Sequence, residues 1–142
     1  MELFGDVNFK ALVFGAAIAG AFVIFGALYW DWFYPFAAIG LLYAGYGQKN
    51  IKIATVMGAM ASTVLIMLAL DGYFGKFTGF MATETGILVM ALIILSVGAI
   101  VGFTGGLVKR NKIKAKEEYE KQQKIGKNKK NKKAKSSKNI KK

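Results

Sequence analysis

Residues Gly86–Val108 read GILVMALIILSVGAIVGFTGGLV, 23 positions without a charge, and a basic run begins directly after them at Lys109. At ~1.5 Å rise per residue a helix of this stretch is roughly 35 Å long, enough to cross a hydrocarbon core of about 30 Å with some tilt. The basic side chains that follow are costly to draw through a membrane, so the segment reads as a stop-transfer span that fixes the side on which the C-terminal tail lies.

Charge divides at the same point. Residues 1–108 carry four lysines and five acids, net −1, whereas residues 109–142 carry 16 of the chain's 20 basic side chains and net +13. The high isoelectric point therefore belongs to the tail. Hydrophobic residues make up 54% of the chain even with that tail included, too many for an ordinary water-soluble fold. Cysteine and histidine are both absent, which removes disulfides, thiolate nucleophiles, histidine-ligated haem and the usual zinc sites. No cofactor or metal is expected.

Three further apolar stretches precede the stop-transfer span. Residues 11–30 are uncharged and long enough to cross. A single helix from 11 to 47 would need ~55 Å, so the chain must turn, and Tyr29-Trp30-Asp31-Trp32-Phe33-Tyr34-Pro35 is the place. Tyr29, Trp30, Trp32 and Tyr34 have the amphipathic rings that settle at headgroup level, or alternatively form an aromatic ligand cage. Asp31 is positioned to cap the next helix, and Pro35 is tolerated in a first turn, whose amides lack partners. Residues 33–47 are the shortest span, ~22 Å as a helix, and either cross or dip in and return. Residues 51–70 form the third span, closed by Asp71-Gly72.

The connectors carry their own signals. Asp6 is placed to cap the first helix, and Thr83-Glu84-Thr85 to open the last. Tyr73, Phe74, Phe77, Phe80 and Met81 recur at helical spacing and suggest a short amphipathic segment on the outer interface, or a re-entrant loop. The N-terminal region lacks the basic start of a signal peptide, so it is expected to stay uncleaved. With four spans, Lys10, Lys49, Lys52 and the tail share one side, while Lys76 alone sits beside Asp31, Asp71 and Glu84 on the other. This is a positive-inside pattern that predicts a multi-pass cell-membrane protein with both termini cytoplasmic. If residues 33–47 only dip in, the N-terminus moves outside and the tail stays inside.

Small residues recur every four positions: Gly98, Gly102 and Gly106 in the last span, Ala54, Gly58 and Ser62 in the third, Ala11, Gly15 and Ala19 in the first. Positions i and i+4 share a helix face, so backbones can approach closely there and gain dispersion contact. The seam serves either packing within the chain or a homo-oligomer. Leucine at Gly98 or Gly102 would open it in both cases.

No Asp, Glu, Lys or Arg lies within a span interior, where such groups cost at least ~2.5–3.5 kcal/mol and mark transport or proton relay. In size and span number the chain resembles the small multidrug-exporter family, whose coupling depends on an embedded glutamate in the first span; residues 11–30 contain no acid. The span hydroxyls of Thr55, Ser62, Thr63, Ser96 and Thr104 are expected to bond their own helix backbones. No nucleophile–base pair, carboxylate dyad or phosphate loop stands out, and catalysis is not expected.

In the tail, residues 109–124 are set to continue the last span as a helix with i,i+4 pairs such as Glu117–Lys121, Gly126 to stop it, and residues 127–142 to be disordered. The basic run acts as an orientation signal alone, or it binds anionic lipid headgroups through Lys109, Arg110, Lys112, Lys114 and Lys116, or it binds RNA. Tyr119 is its one aromatic residue, so base recognition is not expected. The sequence thus predicts an all-α polytopic membrane protein, a four-span domain over 1–108 and a basic tail over 109–142. The expected function is that of a non-enzymatic membrane protein, with membrane lipids as partners and a tail that binds anionic headgroups or RNA and the ribosome. The alternatives are an oligomeric pore, since small multi-span proteins with basic C-termini resemble phage holins, and a facilitator for a neutral solute.

Overall fold

The structure, a computed structural model, describes residues 7–139, with side chains over 7–124. The chain is 86% helical, with no strand among the described residues. The elements in order are α1 (Phe9–Leu28), a 3-10 segment (Asp31–Phe36), α2 (Ala37–Tyr46), α3 (Ile51–Leu70), a 3-10 turn (Gly79–Ala82) and α4 (Glu84–Asn139). The chain divides into two units, Met1–Val108 and Lys109–Lys142, and the packing described here is that of the first. α1, α3 and the apolar part of α4 are each long and apolar enough to cross a membrane.

Helix ends follow local chemistry. Asn8, not Asp6, caps α1: its Oδ1 accepts the Ala11 N–H at 3.2 Å, satisfying an amide that opens the helix. Asp6 lies outside the described residues. α1 therefore starts and stops two residues before the predicted span, leaving Trp30 in extended backbone. Asn50 caps α3 by accepting from Lys52 N–H at 3.0 Å. α3 closes in a Schellman motif, with Tyr73 N–H on Leu68 O at 3.0 Å, Gly72 N–H on Ala69 O at 3.1 Å, and Gly72 at φ +87°. Thr83 Oγ1 accepts the Gly86 N–H at 3.1 Å and opens α4, with Glu84 in its first turn beside the positive end of the dipole.

Residues 33–47 do not form one helix. Pro35 lacks an amide hydrogen and disfavours α geometry in the residue before it, so residues 31–36 wind as a 3-10 helix before α2 begins. Asp31 heads that segment but makes no cap bond; the cap position is Trp30. The α helix proper is ten residues long. Even so, the Tyr34 ring lies on Gly26 at one end, and Gln48 bonds Asn8 at the other. Residues 34–48 thus run antiparallel along α1 from Gly26 to Asn8, about 27 Å at helical rise.

Two other expectations change. Residues 71–83 are turns and a four-residue 3-10 piece instead of an amphipathic helix, because Gly72, Gly75 and Gly79 all adopt positive φ. α4 continues through Gly126, since one glycine costs only about 1 kcal/mol among good helix formers such as Lys and Gln. The run expected to be disordered is helix over 127–139, and residues 140–142 lie outside the described residues.

Packing is inverted relative to a water-soluble core. Many of the buried positions are small: Ala11, Gly15 and Ala19 on α1, Gly40 and Ala44 on α2, Ala54, Gly58, Ala61 and Ser62 on α3, beside the larger Val23, Leu41, Ile53, Met57 and Leu65. Large apolar side chains such as Phe14, Phe25, Met67, Leu92, Ile100 and Phe103 are exposed. In water so much outward hydrocarbon would drive association, whereas lipid accepts it without cost.

Candidate functional site

In the first unit a glycine contact and an aromatic layer gather residues that the sequence singles out, while a polar clasp and a cleft emerge from the structure alone. The glycine contact lies between helices. A Cβ built on Gly98 would strike Ser62 Oγ at 2.5 Å, and one on Gly102 would meet Gly58 Cα at 2.7 Å. Gly106 faces the Ala54 methyl, so all three α4 glycines meet the small face of α3 within one chain. Gly102 also touches Gly45 of α2, and Gly105 abuts the α2 backbone at Leu42 and Tyr46. On the opposite flank Gly15 and Ala19 receive Gly40 and Ala44. The four-residue pattern did not single out Gly40, Gly45 or Gly105; Gly40-x-x-x-Ala44 was the available signal, on the stretch read as weakest. Ser62 Oγ donates to Ala59 O at 2.8 Å, and Thr55, Thr63, Ser96 and Thr104 likewise donate to carbonyls of their own helices. Their hydroxyl protons are spent within the helices, as expected.

The polar clasp lies at the end of the bundle holding Asn8. Gln48 is 1% exposed, its Oε1 accepting the Asn8 N–H at 2.9 Å while Nε2 donates to the carbonyls of Asn8 and Ala44 at 3.2 and 3.1 Å. Every polar atom of the side chain is used, which makes a buried carboxamide tolerable.

At the other end an aromatic layer surrounds the 3-10 segment. Tyr29, Trp30 and Trp32 are exposed, as interfacial rings are. Trp32 packs on Phe33 and Phe36, and Phe22 of α1 joins the same cluster. Tyr34 is different: its ring is half-buried on Gly26, stacks on Phe74 with centroids 5.0 Å apart, and its hydroxyl donates to Tyr73 O at 2.8 Å. It ties α1, the 3-10 segment and the end of α3 together.

A cleft of about 430 Å³ lies beneath that layer. Its walls include Ala38 and Leu41 of the α2 region, Leu65 and Ala69 of α3, and Ile93 and Val97 of α4. Tyr34 and Phe74 stand at its outer end. The cleft lies beyond the Gly45–Gly102 contact, where Ile93, Ile94 and Val97 of α4 stand opposite Ala37, Ala38 and Leu41. It opens to the surroundings along α4, where Ile93 and Val97 are half-exposed. Water gains little there, because the Tyr34 hydroxyl is already bonded.

Of the basic residues named for an anionic surface, Lys109 is half-buried and Arg110, Lys112, Lys114 and Lys116 are exposed, all on α4 in the second unit. Fold and surface together define an all-helical chain with three helices able to cross a membrane. Comparison with known protein families, curated proteins and solved structures finds no match.

Proposed function

We propose that this chain is a four-span, non-enzymatic membrane protein with both termini in the cytoplasm, whose basic C-terminal helix engages anionic lipid headgroups. The observation that carries the topology is the run of residues 34–48 along α1 from Gly26 to Asn8. A chain turning back halfway would leave the lower half of α1 uncovered and put Gln48 beside Tyr34. The four crossings then collect Lys10, Lys49, Lys52 and the tail on the face that positive charge selects.

Headgroup binding follows from where the first basic residues fall. Lys109, Arg110, Lys112, Lys114 and Lys116 come directly after the last apolar residue, within reach of a surface on which each contributes about 1 kcal/mol. RNA is the less favoured partner, because Tyr119 is the tail's one aromatic and stacking has nothing else to use. A pore assembled through the α4 glycines is disfavoured by their engagement with α3. To test this, the full chain with Lys130→Cys carries an environment-sensitive dye in nanodiscs. Phosphatidylglycerol discs should shift the emission relative to phosphatidylcholine discs, and added salt should reverse the shift. A response to RNA alone would replace lipid with RNA as the partner, and no response to either would leave the tail as an orientation signal.

A further inference from the structure

We propose that the cleft between α2, α3 and α4 holds one acyl chain of an outer-leaflet phospholipid with an ammonium headgroup, of the phosphatidylethanolamine type. The inference rests on the membrane reading above, which supplies hydrocarbon as the surrounding medium. Three observations argue for this occupant. The space, about 430 Å³, falls within the range of roughly 300–1,000 Å³ found for small-ligand sites. Its walls are side chains such as Ala38, Leu65, Ile93 and Val97, and its one hydroxyl, on Tyr34, is spent on Tyr73 O, so nothing inside recognises water or a polar solute. The headgroup preference follows from the acids that lie within a few residues of the lining at the cleft's outer end. Asp71 follows the lining residue Ala69 by two positions, Asp31 precedes Tyr34 by three, and Glu84 opens α4 six residues before Met90 of the wall.

These carboxylates are exposed and make no ion pair or hydrogen bond among the described residues, and Lys76 is the single cation near them in sequence. An apolar slot below an acidic rim complements a lipid that presents an ammonium group above an alkyl chain. It disfavours one whose headgroup carries only negative charge.

The full-length protein, reconstituted in nanodiscs of equal parts phosphatidylethanolamine and phosphatidylglycerol and then released in mild detergent, is measured by native mass spectrometry. Wild type should retain one phosphatidylethanolamine, favoured about fivefold over phosphatidylglycerol. Ala38→Phe and, independently, Ile93→Trp fill the slot from opposite walls and should lower retention about tenfold with helicity and Tm preserved. The combined Asp31→Asn, Asp71→Asn, Glu84→Gln variant should retain both lipids equally. Unchanged retention in both filled variants, or equal retention of the two lipids by wild type, overturns the proposal. Should wild type fail to enter the bilayer, the membrane reading falls with it; a protein that inserts but holds no lipid removes this inference alone.

Discussion

Gln48 reaches across forty positions of sequence to close both backbone groups of Asn8, accepting its N–H at 2.9 Å and donating to its carbonyl at 3.2 Å. The pair locks the start of α1 to the end of α2 while Asn8 Oδ1 caps the helix it begins. Replacing Gln48 by Leu should lower stability by about 0.5–1.5 kcal/mol, because the Asn8 amide loses its partner while its carbonyl keeps the Leu12 N–H. Asn8→Ala should cost about 1 kcal/mol through loss of the cap. Thermal unfolding of both variants in detergent, followed by circular dichroism, measures the two losses separately.

The glycines of α4 differ sharply from Gly20 of α1 in what a methyl group would meet. At Gly102 it would run into Gly58 Cα at 2.7 Å, whereas at Gly20 it would find the tip of Val64 at 3.3 Å, a side chain able to yield. Gly102→Ala should therefore destabilise by about 1–3 kcal/mol and Gly102→Leu by more, while Gly20→Ala stays near neutral. Equal Tm shifts for Gly102→Ala and Gly20→Ala would count against the close-contact assignment.

Tyr34 combines a packing ring with one hydrogen bond, and the two can be separated. Tyr34→Phe removes only the donor to Tyr73 O and should cost about 0.5–1.5 kcal/mol. Tyr34→Ala also uncovers Gly26 and Phe74 and should cost about 3–5 kcal/mol. A phenylalanine variant as unstable as the alanine variant would show that the hydroxyl, not the ring, dominates.

Because the chain has no cysteine, single-cysteine variants report topology without background. Asp31→Cys and Thr78→Cys should react with a membrane-impermeant maleimide on intact cells. Lys49→Cys and Lys130→Cys should react only after permeabilisation. Labelling of Lys49→Cys from outside would mean that residues 33–47 do not cross.

Much of the helical layout was legible because it rests on local chemistry. α3 begins and ends at Ile51 and Leu70 as read, since Asn50 and Asp71-Gly72 punctuate it. α1 and α4 begin within two residues of expectation, displaced by capping bonds of Asn8 and Thr83. Residues 31–36 were harder: periodicity does not separate 3-10 from α winding over six residues, and the consequence of Pro35 depends on what α1 presents opposite it. The small faces of α1, α3 and α4 stood out as repeats. The matching face of α2 did not, because Gly40, Ala44 and Gly45 alternate between spacings of four and one. Gln48 reads as an ordinary turn residue until its partner, forty positions away, is brought beside it. The cleft has no sequence signature at all, since it arises where two helices stop matching.

The 3-10 entry into α2 also sets a tolerance on length. One residue inserted between Phe36 and Ala37 would rotate all of α2 by about 100° about its axis. Gly40 would swing away from α1 and Gly45 away from α4 in the same motion. The second hairpin arm is therefore geared to two neighbours at once: substitutions there trade locally, whereas insertions and deletions disengage both meshes together.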